Sequence, residues 1–312
     1  MTGFGFESTT DDVLEGIDLS GKRVLVTGAS AGLGVETARA LAAHGASVTM
    51  AVRDLGKGAT AMEQVLAAAP DADVDLRPLD LADLASVRTF AHGFLEDHPT
   101  LHVLIGNAGV MACPQGTTVD GFETQIGTNH LGHFLLAQLL TPALVAADGA
   151  RVVLLSSAGH RLGDVDLDDL HGERQPYDPW VAYGRSKTAN VLCAVGLDQR
   201  LRDEGVRAFA VHPGVIATEL SRHLTEESMA AFRAMQRPGE RTAMKSVPQG
   251  AATTAYAATS PDLDGRGGLY LEDCHVAEST DDPTQRSGVR GYALDPDRAD
   301  ALWAVSEQEV AP

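Results

Sequence analysis

The sequence predicts an α/β fold built on one doubly wound parallel sheet, and three observations carry that prediction. Between about residues 20 and 270, short apolar runs alternate with longer amphipathic stretches, the habit of βαβ units. The runs are Val- and Leu-rich and nearly continuous rather than alternating, as strands covered on both faces must be. The first of them passes straight into a glycine-rich turn that opens a helix.

Taken in order, six buried strands are expected, at residues 23–26, 46–52, 74–78, 103–105, 151–155 and 206–211. Helices that cover the sheet are expected between them, at 34–44, 55–69, 84–96, 121–144 and 182–204. Residues 158–180 break the rhythm, because Gly159, Gly163, Gly172, Pro176 and Pro179 interrupt an Asp-dense stretch; this reads as a long loop, and long loops are usually functional. Residues 1–20 are polar and weakly patterned, and residues 272–312 carry many Asp, Glu, Pro and Gly before a short helical stretch at 296–308. Both read as extensions of a single domain spanning 21–271, the C-terminal one packed on that same domain, since no linker, repeat or low-complexity tract separates them.

Composition narrows the partners. The 312 residues hold 24 Lys plus Arg against 43 Asp plus Glu, a net charge of −19, and no cluster of basic residues that could follow a phosphate backbone. Nucleic acid and anionic membrane surfaces are therefore disfavoured, and the acidity reads as a device for solubility. An apolar fraction of 44% with 21% charged residues is that of a soluble globular protein. No apolar h-region precedes the first basic residue, Lys22, and no apolar run reaches membrane-spanning length, so a cytoplasmic protein is expected. Three cysteines, Cys113, Cys193 and Cys274, are far apart and lack C-x-x-C spacing, which suits free thiols in a reducing compartment rather than disulfides or zinc.

Thr27-Gly28-Ala29-Ser30-Ala31-Gly32-Leu33-Gly34 stands between the first strand and the first long helix. Glycines let the backbone turn tightly and approach a pyrophosphate, while the free N–H groups and dipole of the helix end attract its charge. The spacing is G-x-x-x-G-x-G rather than the generic G-x-G-x-x-G, but strand before and helix after give it the setting of a dinucleotide site in a Rossmann-type fold. About 20 residues on, Val52 takes the place where a carboxylate would hold the ribose 2′-hydroxyl of NAD, and Arg53 follows it. A guanidinium offers planar donors to a 2′-phosphate, so NADP (NADPH) is the expected cofactor, with NAD the alternative.

A pair farther along permits acid–base chemistry. A phenol ionises near about pH 10, too high for ready proton exchange at neutrality. Lys187 follows Tyr183 by four residues, so on a helix the two share a face, and the ammonium is expected to lower the phenol. Tyr183 could then donate a proton to a carbonyl oxygen or accept one from an alcohol, with Ser157 hydrogen-bonding that oxygen.

These residues resemble the short-chain dehydrogenase/reductase family. Thr27 to Gly34 is similar to its T-G-x-x-x-G-x-G motif, Asn107-Ala108-Gly109 to its N-A-G, and Tyr183-Gly184-Arg185-Ser186-Lys187 to its Y-x-x-x-K. His212-Pro213-Gly214-Val215-Ile216-Ala217-Thr218 resembles its P-G segment with a cofactor-contacting Thr, and the motifs run in order over residues 20–270. The resemblance implies catalytic roles for Asn129, Ser157, Tyr183 and Lys187, with Asn129 fixing a relay water and Lys187 also holding the nicotinamide ribose. It implies Ser157 rather than Ser156 as the acting serine. It implies cofactor contacts from Gly28, Ser30, Gly32, Leu33, Gly34, Arg53, Asn107, Ala108, Gly109, Pro213, Gly214, Val215 and Thr218. Asp80 and the Leu81 amide would meet adenine; Asp80 also reads as an N-cap for the helix near Leu84, and both could hold.

Ser157 and Tyr183 stand 26 positions apart, about twice the commoner family spacing. With Ser156-Ser157-Ala158-Gly159-His160, Asp166-Leu167-Asp168-Asp169-Leu170 and the tail segments Leu271–Cys274 and Tyr292–Pro296, the chain resembles the retinol-dehydrogenase and protochlorophyllide-reductase-like branch. The expected activity is NADP-dependent interconversion of an alcohol and its ketone or aldehyde on a hydrophobic small molecule. Reduction of a conjugated C=C bond and a non-catalytic dinucleotide-binding regulator are the alternatives. Family members often self-associate through paired helices, which implies a homo-oligomer. No metal is expected: His130 and His133 lack a third ligand at suitable spacing. His160 and His171 in the long loop are left without a role. Leu220, Leu224, Met229, Phe232, Met235 and Met244 could form an apolar lid or simply pack as helix.

Overall fold

The computed structural model describes residues 3–218, 220, 221, 224, 226, 228–230 and 243–312. Its strands, β1 (Arg23–Thr27), β2 (Ser47–Val52), β3 (Val74–Pro78), β4 (Val103–Gly106), β5 (Arg151–Leu155), β6 (Arg207–His212), β7 (Leu269–Glu272) and β8 (His275–Val276), form one sheet in the order β3-β2-β1-β4-β5-β6-β7-β8. Every pairing is parallel except β7 with β8. The chain reverses direction across the sheet between β1 and β4, which opens a crevice at their carboxyl ends.

The helices are α1 (Thr10–Leu14), α2 (Gly32–Ala43), α3 (Leu55–Ala68), α4 (Leu84–Asp97), α5 (Thr124–Ile126), α6 (Gly132–Val145), α7 (Pro179–Leu201), α8 (Val247–Thr259) and α9 (Pro296–Glu309). Strand alternation divides the core in two. Leu25, Leu104, Val152, Leu154 and Ala210 face α4, α6 and α7, whereas Val24, Val26, Met50, Ile105, Val153 and Phe209 face α2, α3 and α8. Asp54, Asp83, Asp178 and Asp295 side chains cap the amino ends of α3, α4, α7 and α9. Each such cap stabilises its helix by about 1 kcal/mol.

The six expected strands are present, and β7 and β8 extend them. These two are four and two residues long, too short for a periodic signal. Their turn also lacks the usual Asn-Gly: Asp273 (φ +48°) and Cys274 (φ +58°) are both left-handed, a hairpin geometry that non-glycine residues rarely adopt. The boundary expected between 271 and 272 falls inside this hairpin. Helix α8 also escaped the sequence reading, because residues 250–258 are all buried and an all-round buried helix shows no polar stripe. Nor is the amino-terminal stretch unstructured: Val13, Leu14 and Leu19 join the core, and Asp11 pairs with Arg39 of α2 at 2.7 Å.

The helix expected over 121–144 is compound. Between α5 and α6, Gly127–Leu131 form a π-helical turn, a distortion frequent at functional sites. Finally, α9 lies across α6 and α7. Trp303 packs edge-on against Phe134 (4.8 Å), the Arg200 guanidinium covers Trp303 (4.2 Å), and Ser306 bonds His130 at 2.8 Å.

Candidate active site

The crevice between β1 and β4 has one wall made chiefly of backbone. Gly28 is left-handed (φ +65°), and a Cβ there would stand 2.8 Å from the Ala108 Cα; a Cβ on Gly34 would stand 2.5 Å from the Gly28 carbonyl oxygen. A Cβ on Gly32 would reach Thr218 at 3.3 Å, so the turn after β1 meets the segment after β6. Helix α2 begins at Ala31 with no side-chain cap. Its first amides, beside Ser30, Gly32, Leu33 and Gly34, are therefore left for an anion, in contrast to the Asp-capped helices.

Asn107 and Ala108 close this wall. Asn107 Nδ2 donates to the Thr27 and Gly28 carbonyls (2.8 and 3.3 Å), and Thr27 Oγ1 accepts the Ala108 amide at 3.0 Å. His133 braces the same threonine: its Nδ1 donates to the Asn129 carbonyl (2.9 Å), so its Nε2 accepts from Thr27 Oγ1 (2.8 Å). Burial pulls the His133 pKa down to about 4 and that of His130 to about 3. Both histidines are thus neutral, hydrogen-bonded parts of the core.

Arg53 is exposed just beyond β2, and among the described residues it makes no ion pair. Asp54 does not engage it, because its carboxylate caps α3. Asp80 Oδ1 accepts the Ala82 amide at 2.9 Å, and Leu81 is buried against Gly132. The N-cap reading of Asp80 is corrected here: Asp83 caps α4, through the amides of Ala85 and Ser86. Pro213, Gly214 and Val215 follow β6. Gly214 is crowded by Lys245, whose amide donates to the Val215 carbonyl (2.9 Å) and whose Nζ lies 2.5 Å from Asp273.

The opposite wall is made of buried polar side chains. Ser157 stands two residues beyond β5, where it caps the turn Ala158–Leu162, and Tyr183 and Lys187 stand one turn apart on α7. The Ser157 hydroxyl stands beside the Tyr183 ring, since a Cβ on Gly159 would lie 3.3 Å from Ser157 Oγ and 2.7 Å from Tyr183 Cε1, and it accepts the Gly159 amide at 3.0 Å. Its neighbour Ser156 points away and donates to the Lys187 carbonyl (2.9 Å). Lys187 Nζ sits 5.7 Å from the Tyr183 ring centre and donates to the Leu155 carbonyl at 3.0 Å. A Cβ on Gly109 would fall 3.1 Å from Asn129 Oδ1 and 3.6 Å from Lys187 Nζ. Asn129, inside the π turn, holds Val110 by both its amide (2.8 Å) and its carbonyl (2.9 Å), and donates to Ser186 at 2.9 Å.

One expectation about this wall meets an opposing effect. Burial pushes the Tyr183 phenol up to about 12, against the smaller opposing effect of its bond with Ser157, and pulls Lys187 down to about 8. Desolvation disfavours the charged form of each group. It is the lysine that titrates near neutrality.

Around Tyr183 lie Ala112, Trp180, Met111, Leu162 and Leu224, an apolar surround beside a proton-bearing oxygen. Of the lid residues anticipated, Leu224 joins this surround, Met244 is exposed, and Phe232 and Met235 lie outside the described residues. His171 stacks on Phe122 (5.6 Å) and lies 3.4 Å from Glu309, away from any substrate role. Two residues of the site had no role of their own in the sequence motifs. Lys245 is far from every motif, and His212 was legible only as part of the P-G segment. His212 Nδ1 accepts the amides of both Ala158 and Gly214 (3.3 Å each), joining the two walls.

Residues 22–229 match the family model described as short chain dehydrogenase. The "Probable oxidoreductase" of Streptomyces lividans is 46% identical over 292 residues, covering 92% of this chain and 97% of that protein. Human retinol dehydrogenase 12 is 42% identical over 290 residues, covering 93% and 86%. Among solved structures, an uncharacterised protein from Mycobacterium paratuberculosis superposes with a TM-score of 0.73 at 38% identity, over 97% of both chains. No helix among the described residues is long and apolar enough to cross a membrane.

Proposed function

The chain belongs to the short-chain dehydrogenase/reductase family of NAD(P)-dependent oxidoreductases, and from that premise we propose that it uses NADP(H) to interconvert an alcohol and its ketone or aldehyde on a hydrophobic small molecule. The observation that carries the reading is the placement of Ser157, Tyr183 and Lys187 side by side on one wall of a crevice whose other wall is a glycine turn with uncapped amides.

In this reading the α2 amides, with Gly28, Ser30, Gly32, Leu33 and Gly34, hold the pyrophosphate. Asp80 and Leu81 flank the adenine, and Arg53 takes the 2′-phosphate that selects NADP over NAD. Asn107, Ala108 and Gly109, with Pro213, Gly214, Val215 and Thr218, would hold the nicotinamide. Bound there, the cofactor supplies or accepts a hydride. Ser157 donates a hydrogen bond to the substrate oxygen, and Tyr183 delivers the proton to it or removes it. Lys187 holds the ribose hydroxyls and, poised near about 8, replenishes the Tyr183 proton, with Asn129 ordering the route to solvent. Met111, Ala112, Leu162, Trp180 and Leu224 favour an apolar substrate.

The acidic composition suits a soluble cytoplasmic enzyme. A homo-oligomer joined through paired helices is the assembly that accompanies this reading. Tyr183→Phe tests the chemistry. It should bind NADPH as the parent does and reduce a panel of apolar ketones at least 100-fold more slowly. Undiminished turnover would refute Tyr183 as the acid. A saturated product from an enone in that panel would favour C=C reduction, and no turnover by the parent of any carbonyl or enone would favour the regulator.

A further inference from the structure

His160 is fully buried three residues beyond Ser157, and both of its ring nitrogens are engaged. The Arg290 backbone amide can only donate, and it does so to Nε2 at 3.2 Å. Nε2 is therefore bare, and the ring proton sits on Nδ1, which donates to the Ser157 carbonyl at 2.7 Å. Burial pulls the imidazole down to about 4, so this neutral tautomer persists across the physiological range. The His160 carbonyl in turn accepts from Tyr292 Oη (2.7 Å) and from Thr188 Oγ1 (3.0 Å), the residue after Lys187. Beside it, the Arg161 guanidinium donates to the Arg286 and Gly288 carbonyls.

Segment 286–292 of the C-terminal extension is thus bonded to the serine loop at several points, and His160 is where that loop, the catalytic helix and the extension meet. We propose that His160 is a positioning residue for Ser157: the Arg290 amide fixes the imidazole tautomer, and the imidazole fixes the backbone from which the Ser157 hydroxyl reaches Tyr183. The proposal rests on the reading of Ser157 and Tyr183 given above. It makes the extension part of the reacting assembly, and it gives the His of the S-S-x-x-H segment a role that needs no contact with substrate. Misplacement of a reacting group by about 1 Å can cost on the order of 100-fold in rate.

The experiment compares Arg290→Pro with Arg290→Ala. Arg290 has φ −73°, a value proline adopts freely, so Arg290→Pro keeps the local backbone while replacing the amide hydrogen with a ring methylene that presses on Nε2: it removes the donor and pushes the imidazole from its place. Both variants lose the guanidinium bonds to the Thr280 and Asp282 carbonyls; only the proline variant loses the donor to His160. We expect kcat for ketone reduction to be at least tenfold lower in Arg290→Pro than in Arg290→Ala, with the NADPH Kd of the two within twofold. Long-range 1H–15N spectra should show His160 protonated on Nδ1 in Arg290→Ala and as a tautomer mixture in Arg290→Pro.

His160→Asn places an amide donor near the Nδ1 position, whereas His160→Gln keeps only an acceptor near Nε2, so His160→Asn should retain at least tenfold more kcat. Equal kcat in the two Arg290 variants, or kcat and cofactor affinity falling together, would overturn the proposal. So would an Nε2-protonated ring in the parent protein. Ser157→Ala separates the two levels. If it turns over within tenfold of the parent, the reading of Ser157 fails and the positioning role with it; if it is strongly impaired while the Arg290 variants are alike, only the positioning role fails.

Discussion

The two walls of the crevice fail in different ways because they are built from different material. The wall of Gly28, Gly34 and Ala108 works by the absence of side chains: backbone comes within 3 Å of where a Cβ would sit, and helix amides stay uncapped. Its vulnerability is steric. The wall of Ser157, Tyr183 and Lys187 works by polar side chains removed from water, with Tyr183 pushed up to about 12 and Lys187 pulled down to about 8. Its vulnerability is electrostatic, so pH should act mainly on the second wall and added methyl groups mainly on the first.

The largest effect expected is on stability in acid, and it falls on buried imidazoles around both walls and behind them. His130 and His212 are pulled down to about 3, and His133 and His160 to about 4, all by burial. Because the unfolded chain takes up these protons first, stability is full above about pH 6.5 and is lost as pH falls from there toward 4 and below. By pH 5 the loss is about 2 kcal/mol for each imidazole. Glu123, Glu272 and Asp198, raised by burial, oppose it. Urea midpoints at pH 7 and pH 5 read the difference; unchanged midpoints would mean that these rings are open to solvent.

Next comes Lys187→Met, expected to slow ketone reduction by roughly 1,000-fold. With Lys187 near about 8, the parent's reduction rate should hold below that pH and decline above it as the ammonium is lost, and the variant's residual rate should show no such limb. A pH–kcat profile checks both. On the other wall, Gly34→Ala drives a methyl against the Gly28 carbonyl and should destabilise the fold by about 1–3 kcal/mol. It should weaken NADPH binding while leaving the limb near pH 8 in place; if that limb moves, the walls are not separable. The smallest effect is that of Arg53→Ala, which should weaken NADPH by about tenfold, or 1.4 kcal/mol, and leave NADH unchanged by titration. Equal affinities in the parent would remove the basis for preferring NADP.

Much of the site was legible because its signals are local. Gly28 to Gly34 and Tyr183 to Lys187 are set by spacing along one turn or one helix, where neighbours in sequence are neighbours in space. Helix α8 was not legible, since burial on all sides erases amphipathic period, and β7 and β8 are too short to carry one. Asp80 misled as an N-cap because Asp83, three residues on, has the same chemistry and the better position.

By itself the sequence determined the order of the βα units, the glycine turn and the pairing of phenol with amine, all consequences of backbone sterics and helical period. Only the tertiary structure decided how readily each group takes up or gives up its proton. Desolvation depends on every neighbour that excludes water, so the rise of Tyr183, the fall of Lys187 and the single tautomer of His160 arise from residues as distant in sequence as Arg290.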